Sequence, residues 1–331
     1  MELLPHVGWL VLGLALLSFG ADWMVRGASE LALRARVKPL VVGLTVVAFG
    51  TSAPELLVSL KANLDPNTQA DIAVGNVVGS NICNIALLLG IAALIRPLTV
   101  SSQVVRRELP ILLVVTGGFV AMIIDGKLDR WEGVVMFCGI VFYVIHSIRL
   151  ARSTPEDPAL ADVPEEALAH AGESGLAPTL KSLGWVVLGL AGLIYGADRL
   201  VTSGVTIARV LNVPELVIGL TMVAIGTSLP ELATTIAASR KGQTDIIAGN
   251  LIGSNLFNIL AVMGLTSAVK ALVVESLNTI DVVVMCGFTL LLVPFLMRGH
   301  RLNRIEGGIL LVGYLTYCVW LVKPEWFGVT G

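Results

Sequence analysis

Long apolar runs, each interrupted by only a few polar residues, recur along the whole of this chain. Ten of the runs are long enough to cross a bilayer as helices, since about 20 apolar residues span its hydrocarbon core. The runs are continuous rather than alternating, which argues against the strands of a membrane barrel. The sequence therefore predicts an all-α membrane protein with ten transmembrane helices, over residues 7–28, 39–60, 71–94, 105–124, 131–150, 181–202, 214–237, 245–268, 279–297 and 304–322.

Composition supports this interpretation. Of 331 residues, 55% are hydrophobic and 14% are charged, which is too apolar for a soluble globular domain. The residues before the first run carry Glu2 and no Lys or Arg, so that run is predicted to be a span rather than a cleaved signal peptide. No basic patch indicates nucleic acid, and the oligomeric state is not predicted. Four cysteines without CxxC spacing are predicted to be buried thiols: Cys83, Cys138, Cys286 and Cys318.

The chain contains an internal duplication. Residues 43–60 and 219–236 are identical at 11 of 18 aligned positions, and residues 71–90 and 245–264 at 10 of 20. Such self-similarity indicates a repeat architecture. We divide the chain into a first five-helix repeat, an acidic, proline-containing linker that is predicted to be flexible and cytoplasmic, and a second five-helix repeat, over residues 1–151, 152–179 and 180–331.

The number of spans in each repeat predicts how the repeats are oriented. Because five is odd, the second repeat enters the membrane from the opposite side, and the repeats are inverted. The loops on one face hold 15 Lys and Arg residues, whereas the other face, termini included, holds 7. The positive-inside rule places the richer face in the cytoplasm, so both termini are predicted to lie outside.

Each repeat contains the segment GTSxPE, at residues 50–55 and 226–231. Its proline lacks an N–H and crowds the carbonyl four residues earlier, so the helix is predicted to break and to free backbone oxygens. The glutamates, Glu55 and Glu231, lie within apolar runs, where a carboxylate is costly and marks an ion pathway. Carboxylate, hydroxyl and carbonyl oxygens suit Ca²⁺ or Na⁺ rather than zinc or copper. The hydroxyls of these segments belong to Thr51, Ser52, Thr227 and Ser228.

A second segment, GNxxGSNxxN, follows in each repeat, at residues 75–84 and 249–258. Its serine and last asparagine are four residues apart and share a helix face, which makes them candidates for the same ion site. These residues are Ser80 with Asn84, and Ser254 with Asn258. The glycines have small-xxx-small spacing, which predicts close packing of a neighbouring helix instead of ligation. They are Gly75, Gly79, Gly249 and Gly253.

Other acids that recur in both repeats lie near span ends and are interpreted as structural. Asp22 and Asp198 lie near Arg26 and Arg199 and are expected to anchor the span ends at the surface or to form helix-end salt links, and not to bind an ion. The remaining four are expected at helix starts, where the dipole favours an anion, the last two of them as N-caps: Glu132, Glu306, Asp71 and Asp245.

With these motifs, the chain resembles a prokaryotic sodium/calcium exchanger of the cation/calcium antiporter superfamily. The resemblance covers both halves and rests on the two GTSxPE segments, each followed by GSNxxN. It implies ten helices in two inverted five-helix repeats, in the prokaryotic inner membrane, with an ion site between broken helices at mid-membrane. It also implies alternating access, in which the glycine-rich spans 1 and 6 slide against the other eight.

The resemblance implies a role for each motif residue. Glu55 and Glu231 would be the central calcium ligands, shared with flanking sodium sites, and Thr51 and Thr227 would add oxygens to calcium. Asn84 and Asn258 would lie at the middle of the site. The sodium sites would be lined by Ser52, Ser80, Ser228 and Ser254, with the backbone carbonyls of Ala48 and Ala224.

One position departs from several relatives, including the potassium-dependent exchangers, which carry Asp where this chain has Asn258. With two carboxylates the site has a formal charge of −2, which one Ca²⁺ or two Na⁺ would neutralise, and potassium co-transport is not expected. The expected transported ions are therefore Ca²⁺ and Na⁺, with no cofactor.

Two alternatives stay open at this point. In a proton/calcium antiporter, the two glutamates would themselves carry the exchanged H⁺. An intramembrane aspartyl protease would need two facing aspartates, and Asp22 with Asp198 is a superficial match at span ends. No HExxH or GxSxG segment is present, so the sequence predicts a transporter and not an enzyme.

Overall fold

The helices of the protein follow the apolar runs. The computed structural model describes residues 3–35, 37–64, 71–153, 176–210, 226–274 and 279–322. The first repeat contains α1 (Leu3–Ala35), α2 (Pro39–Thr51), α3 (Ala53–Leu64), α4 (Asp71–Ile95), α5 (Leu109–Ile123) and α6 (Arg130–Ser153). The second contains α7 (Leu176–Val210), α8 (Leu229–Arg240), α9 (Thr244–Val269), α10 (Thr279–Met297) and α11 (Arg304–Val322).

These helices confirm a membrane architecture. Seven of them are long and apolar enough to cross a bilayer, and the bent pair α2–α3 is an eighth candidate. The fourth predicted span falls on a π-helical turn, Val104–Glu108, and on α5, which follows it without a break. The seventh predicted span includes residues 214–225, which lie outside the described residues. The count of ten spans therefore stays a prediction.

Two short antiparallel strand pairs join the repeats. The all-α prediction did not include them. Strand β1 (Leu98–Thr99) pairs with β4 (Arg301–Leu302), and β2 (Lys127–Leu128) pairs with β3 (Leu272–Val273). The helical residues 104–123 separate β1 from β2 by about 30 Å. At the repeat offset of 174 residues, β3 is the counterpart of β1, yet it pairs with β2 at the other end. Equivalent elements thus lie on opposite faces, which is the arrangement of inverted repeats.

Helices α4 and α9 form the centre of the molecule. In the most apolar stretch of each helix, 72% of α4 and 94% of α9 is buried, against 17% of α11. The outer helices pack across the repeats. Helix α6 of the first repeat packs on α9 of the second, and α11 of the second repeat packs on α4 of the first. The GNxxGSNxxN segments lie on the two central helices, so their polar side chains are kept away from lipid.

Helices α1 and α7 pack backbone to backbone through glycines. A Cβ on Gly20 would lie 2.9 Å from the carbonyl oxygen of Gly189, and a Cβ on Gly189 would lie 2.5 Å from the backbone nitrogen of Met24. Side chains cannot be accommodated at such distances, so glycine is required at this contact. The glycine-rich composition of spans 1 and 6 therefore serves their mutual packing. Their sliding during transport stays a prediction.

The glycines of the second GNxxGSNxxN segment also pack closely, as predicted. A Cβ on Gly249 would lie 2.6 Å from the carbonyl oxygen of Leu40, and one on Gly253 would lie 2.8 Å from Cβ of Ala48. In the first copy, no atom lies within 4 Å of a Cβ built on Gly75 or Gly79 among the described residues. Residues 211–225 lie outside the described ranges.

Two of the acids that were expected at helix starts are confirmed there, and the prediction for a third is wrong. Glu306 Oε2 accepts a hydrogen bond from the backbone nitrogen of Asn303 at 2.9 Å, and Glu132 Oε2 accepts one from Asp129 at 2.8 Å. The N-cap prediction for Asp245 is wrong, because α9 begins at Thr244 and Gln243 occupies the cap. Asp71 is the first residue of α4, and the residue before it lies outside the described ranges.

Gly189→Val is expected to lower the apparent Tm in detergent by several degrees. The added side chain would meet the α1 backbone, and overpacking of this kind costs about 1–3 kcal/mol. Gly184→Val is the matched control on α7, since no described atom lies within 4 Å of a Cβ there. Equal Tm values for the two variants would contradict the backbone contact between α1 and α7.

Candidate cation site

In the first repeat, a helix breaks immediately before the buried glutamate. Ser52 (φ −81°, ψ 3°) separates α2 from α3, whose axes differ in direction by 42°. Ser228 (φ −87°, ψ 5°) precedes α8 in the same way. Pro54 and Pro230 take the second position of the new helices, where a missing N–H costs no helical hydrogen bond. The predicted break is confirmed in the first repeat. In the second repeat, the residues before Gly226 lie outside the described ranges, and the break stays a prediction.

Both glutamates lie at helix N-termini. Glu55 is the third residue of α3 and Glu231 the third residue of α8, and the side chains are 1% and 0% exposed. A helix N-terminus carries a partial positive charge that favours an anion. The two carboxylates are also near enough to repel each other. The helix N-terminus therefore favours a negative charge on each glutamate taken alone. Negative charge on both glutamates at once is unfavourable unless a cation accompanies it.

Hydroxyl groups from both repeats surround each carboxylate. Ser80 Oγ donates to Glu55 Oε1 at 3.5 Å, and Thr227 of the other repeat also lies beside this carboxylate. Around Glu231 lie Ser254 of its own repeat, with Thr51 and Ser52 of the first repeat. Each half of the site is therefore completed by the other repeat.

Neither glutamate has a basic partner within the part of the chain that the structure describes. Seven buried oxygens of the predicted site residues also lack a hydrogen-bond partner among the described residues. They are Oε2 of Glu55, both Oε atoms of Glu231, Oγ of Ser52 and Ser228, and Oδ1 of Asn84 and Asn258. Buried polar atoms are almost always satisfied, so a group of this size indicates a ligand that supplies positive charge.

The predicted asparagines lie at the centre, in π-helical turns of α4 and α9. Asn84 belongs to the turn Cys83–Leu88, and Asn258 opens the turn Asn258–Met263. Asn84 Nδ2 donates to Asn255 Oδ1 at 3.0 Å, and Asn258 Nδ2 donates to Asn81 Oδ1 at 3.1 Å. Single π turns are frequent at functional sites. These two bonds join α4 to α9 directly across the repeat axis.

A second pair of asparagines holds the threonines. Thr51 Oγ1 donates to Asn250 Oδ1 at 3.2 Å, and Thr227 Oγ1 donates to Asn76 Oδ1 at 3.5 Å. Asn76 Nδ2 in turn donates to the backbone oxygen of Glu55 at 3.2 Å. Sequence reasoning missed four asparagines that contact the site: Asn76, Asn81, Asn250 and Asn255. The available signal was that all four recur at the same motif positions in both repeats.

The structure brings together eleven of the twelve predicted site residues. Ala48 is buried, and its carbonyl oxygen accepts bonds from Ser52 N at 3.0 Å and from Thr51 Oγ1 at 3.4 Å. Thr227 is half-buried, and the other nine are buried. Ala224 lies outside the described residues. Among the described residues, no cluster of three or more His, Cys, Asp or Glu side chains could hold a metal. The oxygens of this site belong mainly to hydroxyls and amides.

Asp22 and Asp198 lie outside this cluster. Asp198 pairs with Arg199 at 3.5 Å, as predicted. Asp22 also forms a salt link, but its partner is Lys241 in the turn after α8, at 2.8 Å. The nearby Arg26 pairs with Glu30 instead, one turn along the helix. The aspartate side chains are 51% and 59% exposed, which does not fit the buried dyad of an aspartyl protease.

A protein-family model described as Sodium/calcium exchanger protein matches residues 5–149 and 181–323. Among curated proteins, the chain is 40% identical over 314 residues to the "Putative antiporter CaxA" of Alkalimonas amylolytica, covering 93% of this chain and 96% of that protein. It is 40% identical over 320 residues to "Inner membrane protein YrbG" of Escherichia coli K12, covering 96% of both chains. It is also 32% identical over 346 residues to "Sodium/calcium exchanger MaX1" of Methanosarcina acetivorans, covering 94% and 96%.

Solved structures of the sodium-calcium exchanger NCX_Mj have the same fold. One, soaked with 10 mM Na⁺ and zero Ca²⁺, superposes with a TM-score of 0.82 at 31% identity, covering 95% of this chain and 98% of that one. Another, soaked with 10 mM Na⁺ and 10 mM Sr²⁺, has a TM-score of 0.80 at 31% identity, with coverages of 94% and 96%.

Glu231→Gln is expected to raise the Tm of the cation-free protein in choline buffer at pH 8. The substitution removes one of two mutually repelling buried charges and keeps a similar side chain. Added Ca²⁺ should raise the Tm of the wild type, because a ligand that binds only the folded state stabilises it, but not that of the variant. Glu132→Gln is the control, since glutamine can keep the bond at the start of α6. A lower Tm for Glu231→Gln in choline would contradict the account.

Proposed function

Because the chain belongs to the sodium/calcium exchanger family, we propose that it exchanges Ca²⁺ for Na⁺ across the inner membrane through the cluster around Glu55 and Glu231. The observation that carries this proposal is a pair of buried carboxylates without a described basic partner, surrounded by buried oxygens without hydrogen bonds. A charge in such a place is stable only when a counter-charge accompanies it. The transported cation supplies that charge.

The charge and the oxygen donors of the cluster fit the two ions. Two carboxylates neutralise one Ca²⁺ or two Na⁺, so either load leaves the site without net charge. Ca²⁺ takes six to eight oxygen ligands that mix carboxylates with neutral oxygens. Carboxylate, hydroxyl and amide oxygens are all present within the cluster, and all belong to residues that recur in both repeats.

We assign the ligands as the resemblance to the family implies. Glu55 and Glu231 bind Ca²⁺ at the centre, with hydroxyls of Thr51 and Thr227, and Asn84 and Asn258 lie between them. The two flanking Na⁺ sites use Ser52 with Ser80 and Ser228 with Ser254, completed by the carbonyls of Ala48 and Ala224. The hydroxyls that lie beside each carboxylate and the unpaired Oγ atoms of Ser52 and Ser228 support a cation site at this cluster.

The repeat organisation suits alternating access. We propose that residues 1–151 and 180–331 are the two repeats, that residues 152–179 link them in the cytoplasm, and that both termini lie outside. The ends of this linker segment belong to helices, because α6 ends at Ser153 and α7 begins at Leu176. The family model, which matches residues 5–149 and 181–323, is consistent with that division. Helices α1 and α7 contribute none of the proposed ligands and pack on each other through glycine, which suits their movement as one unit against the ligand-bearing helices.

Sodium is the proposed counter-ion because the family model that matches this chain is described as Sodium/calcium exchanger protein. A proton needs a carboxylate and no further ligand, whereas Na⁺ needs several oxygens at once. The serines that flank both glutamates provide these oxygens in duplicate. Proton exchange is therefore an outcome of the test below rather than a second proposal.

The direct test is ⁴⁵Ca²⁺ uptake into proteoliposomes under outward gradients of Na⁺, K⁺ or H⁺, imposed one at a time. The Na⁺ gradient alone should drive uptake at fixed pH, and Glu55→Gln should abolish it, because the site then lacks one of the two charges that Ca²⁺ requires. Asp22→Asn is the control, since Asp22 lies outside the cluster, and should keep Na⁺-driven uptake. Uptake driven by H⁺ and not by Na⁺ would overturn the sodium assignment, and wild-type uptake in Glu55→Gln would overturn the site.

A further inference from the structure

Two buried asparagines that the assigned ligand set does not include hold the central amides in place. We propose that Asn81 and Asn255 are positioning residues, which orient the side-chain carbonyls of Asn84 and Asn258 toward the transported cation. This inference rests on the proposed function, since it requires a cation at the centre of the site.

The hydrogen bonds have the direction that this role requires. Asn255 Oδ1 accepts a bond from Asn84 Nδ2 at 3.0 Å, and Asn81 Oδ1 accepts one from Asn258 Nδ2 at 3.1 Å. All four side chains are at most 2% exposed. The amide nitrogens of the central pair are therefore both engaged in bonds to the other central helix.

The oxygens of the same two amides have no hydrogen bond. Oδ1 of Asn84 and Oδ1 of Asn258 are both buried and unpartnered among the described residues. An asparagine amide presents an oxygen acceptor on one side and two N–H donors on the other, and a half-turn exchanges them. Only the observed orientation offers an oxygen to a cation, whereas the reverse would direct N–H groups at it. The bonds to Asn81 and Asn255 select the productive orientation.

The orientation of Asn81 is itself supported from outside the site. Asn81 Nδ2 lies 3.9 Å from the sulfur of Met285 on α10, a weak acceptor, which leaves Oδ1 for Asn258. The counterpart of Met285 in the first repeat is Ile111, which has no acceptor. The contact from Met285 to Asn81 therefore has no side-chain equivalent at the matching position of the first repeat.

Residues that orient metal ligands from behind typically contribute about 10- to 100-fold to metal affinity. Leucine is close to asparagine in size and has no acceptor, so Asn255→Leu leaves the Asn84 amide free to reverse. We expect the Kd for Ca²⁺, measured by calorimetry on the purified protein in detergent, to rise by about tenfold. Asn81→Leu should act in the same way through Asn258.

A double-mutant cycle separates positioning from general packing. In an Asn84→Ala background there is no amide to orient, so adding Asn255→Leu should leave the Kd unchanged within about twofold. Asn63→Leu is the matched control. Asn63 is a buried asparagine that bonds the backbone oxygens of Thr266 and Lys270, and its loss should lower Tm without changing the Kd of the folded protein.

Each outcome decides the inference. A wild-type Kd in both Asn255→Leu and Asn81→Leu, or an equal loss from Asn255→Leu with and without Asn84→Ala, would overturn it. If Asn255→Leu does not fold, the cycle of Asn81→Leu with Asn258→Ala gives the answer. A wild type that binds Ca²⁺ without Na⁺-driven transport would defeat the proposed function and leave this inference standing. A wild type that binds neither ion would overturn both.

Discussion

The rest of the structure depends on two buried carboxylates. No described basic side chain neutralises them. Glu55 and Glu231 repel each other at the centre of an apolar molecule, where charge is costly. Three local features lower that cost: the helix N-termini on which both residues lie, the hydroxyls beside them, and the central amides whose oxygens are free. None of these supplies a full positive charge. We propose that the transported cation provides the remaining charge, and this need would link ion binding to the stability of the site.

The inverted duplication makes such a cluster possible. One copy of GTSxPE and GNxxGSNxxN provides half of the ligands on one broken helix and one central helix. Inversion brings the second copy to the same depth from the opposite side, as the exchanged strand pairs β1–β4 and β2–β3 show. Thr51 and Asn250, from different repeats, bond directly beside Glu231. Helices α1 and α7, which carry none of the proposed ligands, pack on each other through glycines.

Much of this arrangement could be predicted from local sequence. Pro54 dictates a break because its ring and missing N–H act within one helical turn, and Ser80 and Asn84 share a face because of helical periodicity. The correct prediction of Glu132 and Glu306 as helix-start acids has the same local origin. Both repeats carry these signals, and their agreement made the broken helices and the cluster of glutamates, serines and asparagines predictable in advance.

The features that were missed depend on contacts between distant residues. Asn258 meets Asn81 across 177 positions of sequence, and Asp22 meets Lys241 across 219, and no periodicity encodes either pair. The π turns at Asn84 and Asn258 shift the register of the helix face by a fraction of a turn, which spacing rules for ideal helices omit. The short strands arise where loops of the two repeats meet, so neither repeat alone predicts them.

The position of the bound ion tests the central claim most directly. Crystals grown with Ca²⁺ and without Na⁺ would locate it by anomalous scattering at a long wavelength. Our account predicts one strong peak between the two helix N-termini, about 2.3–2.6 Å from carboxylate oxygens of both Glu55 and Glu231. The peak should disappear when Na⁺ replaces Ca²⁺. A Ca²⁺ peak that contacts only one of the two glutamates, or neither, would contradict it.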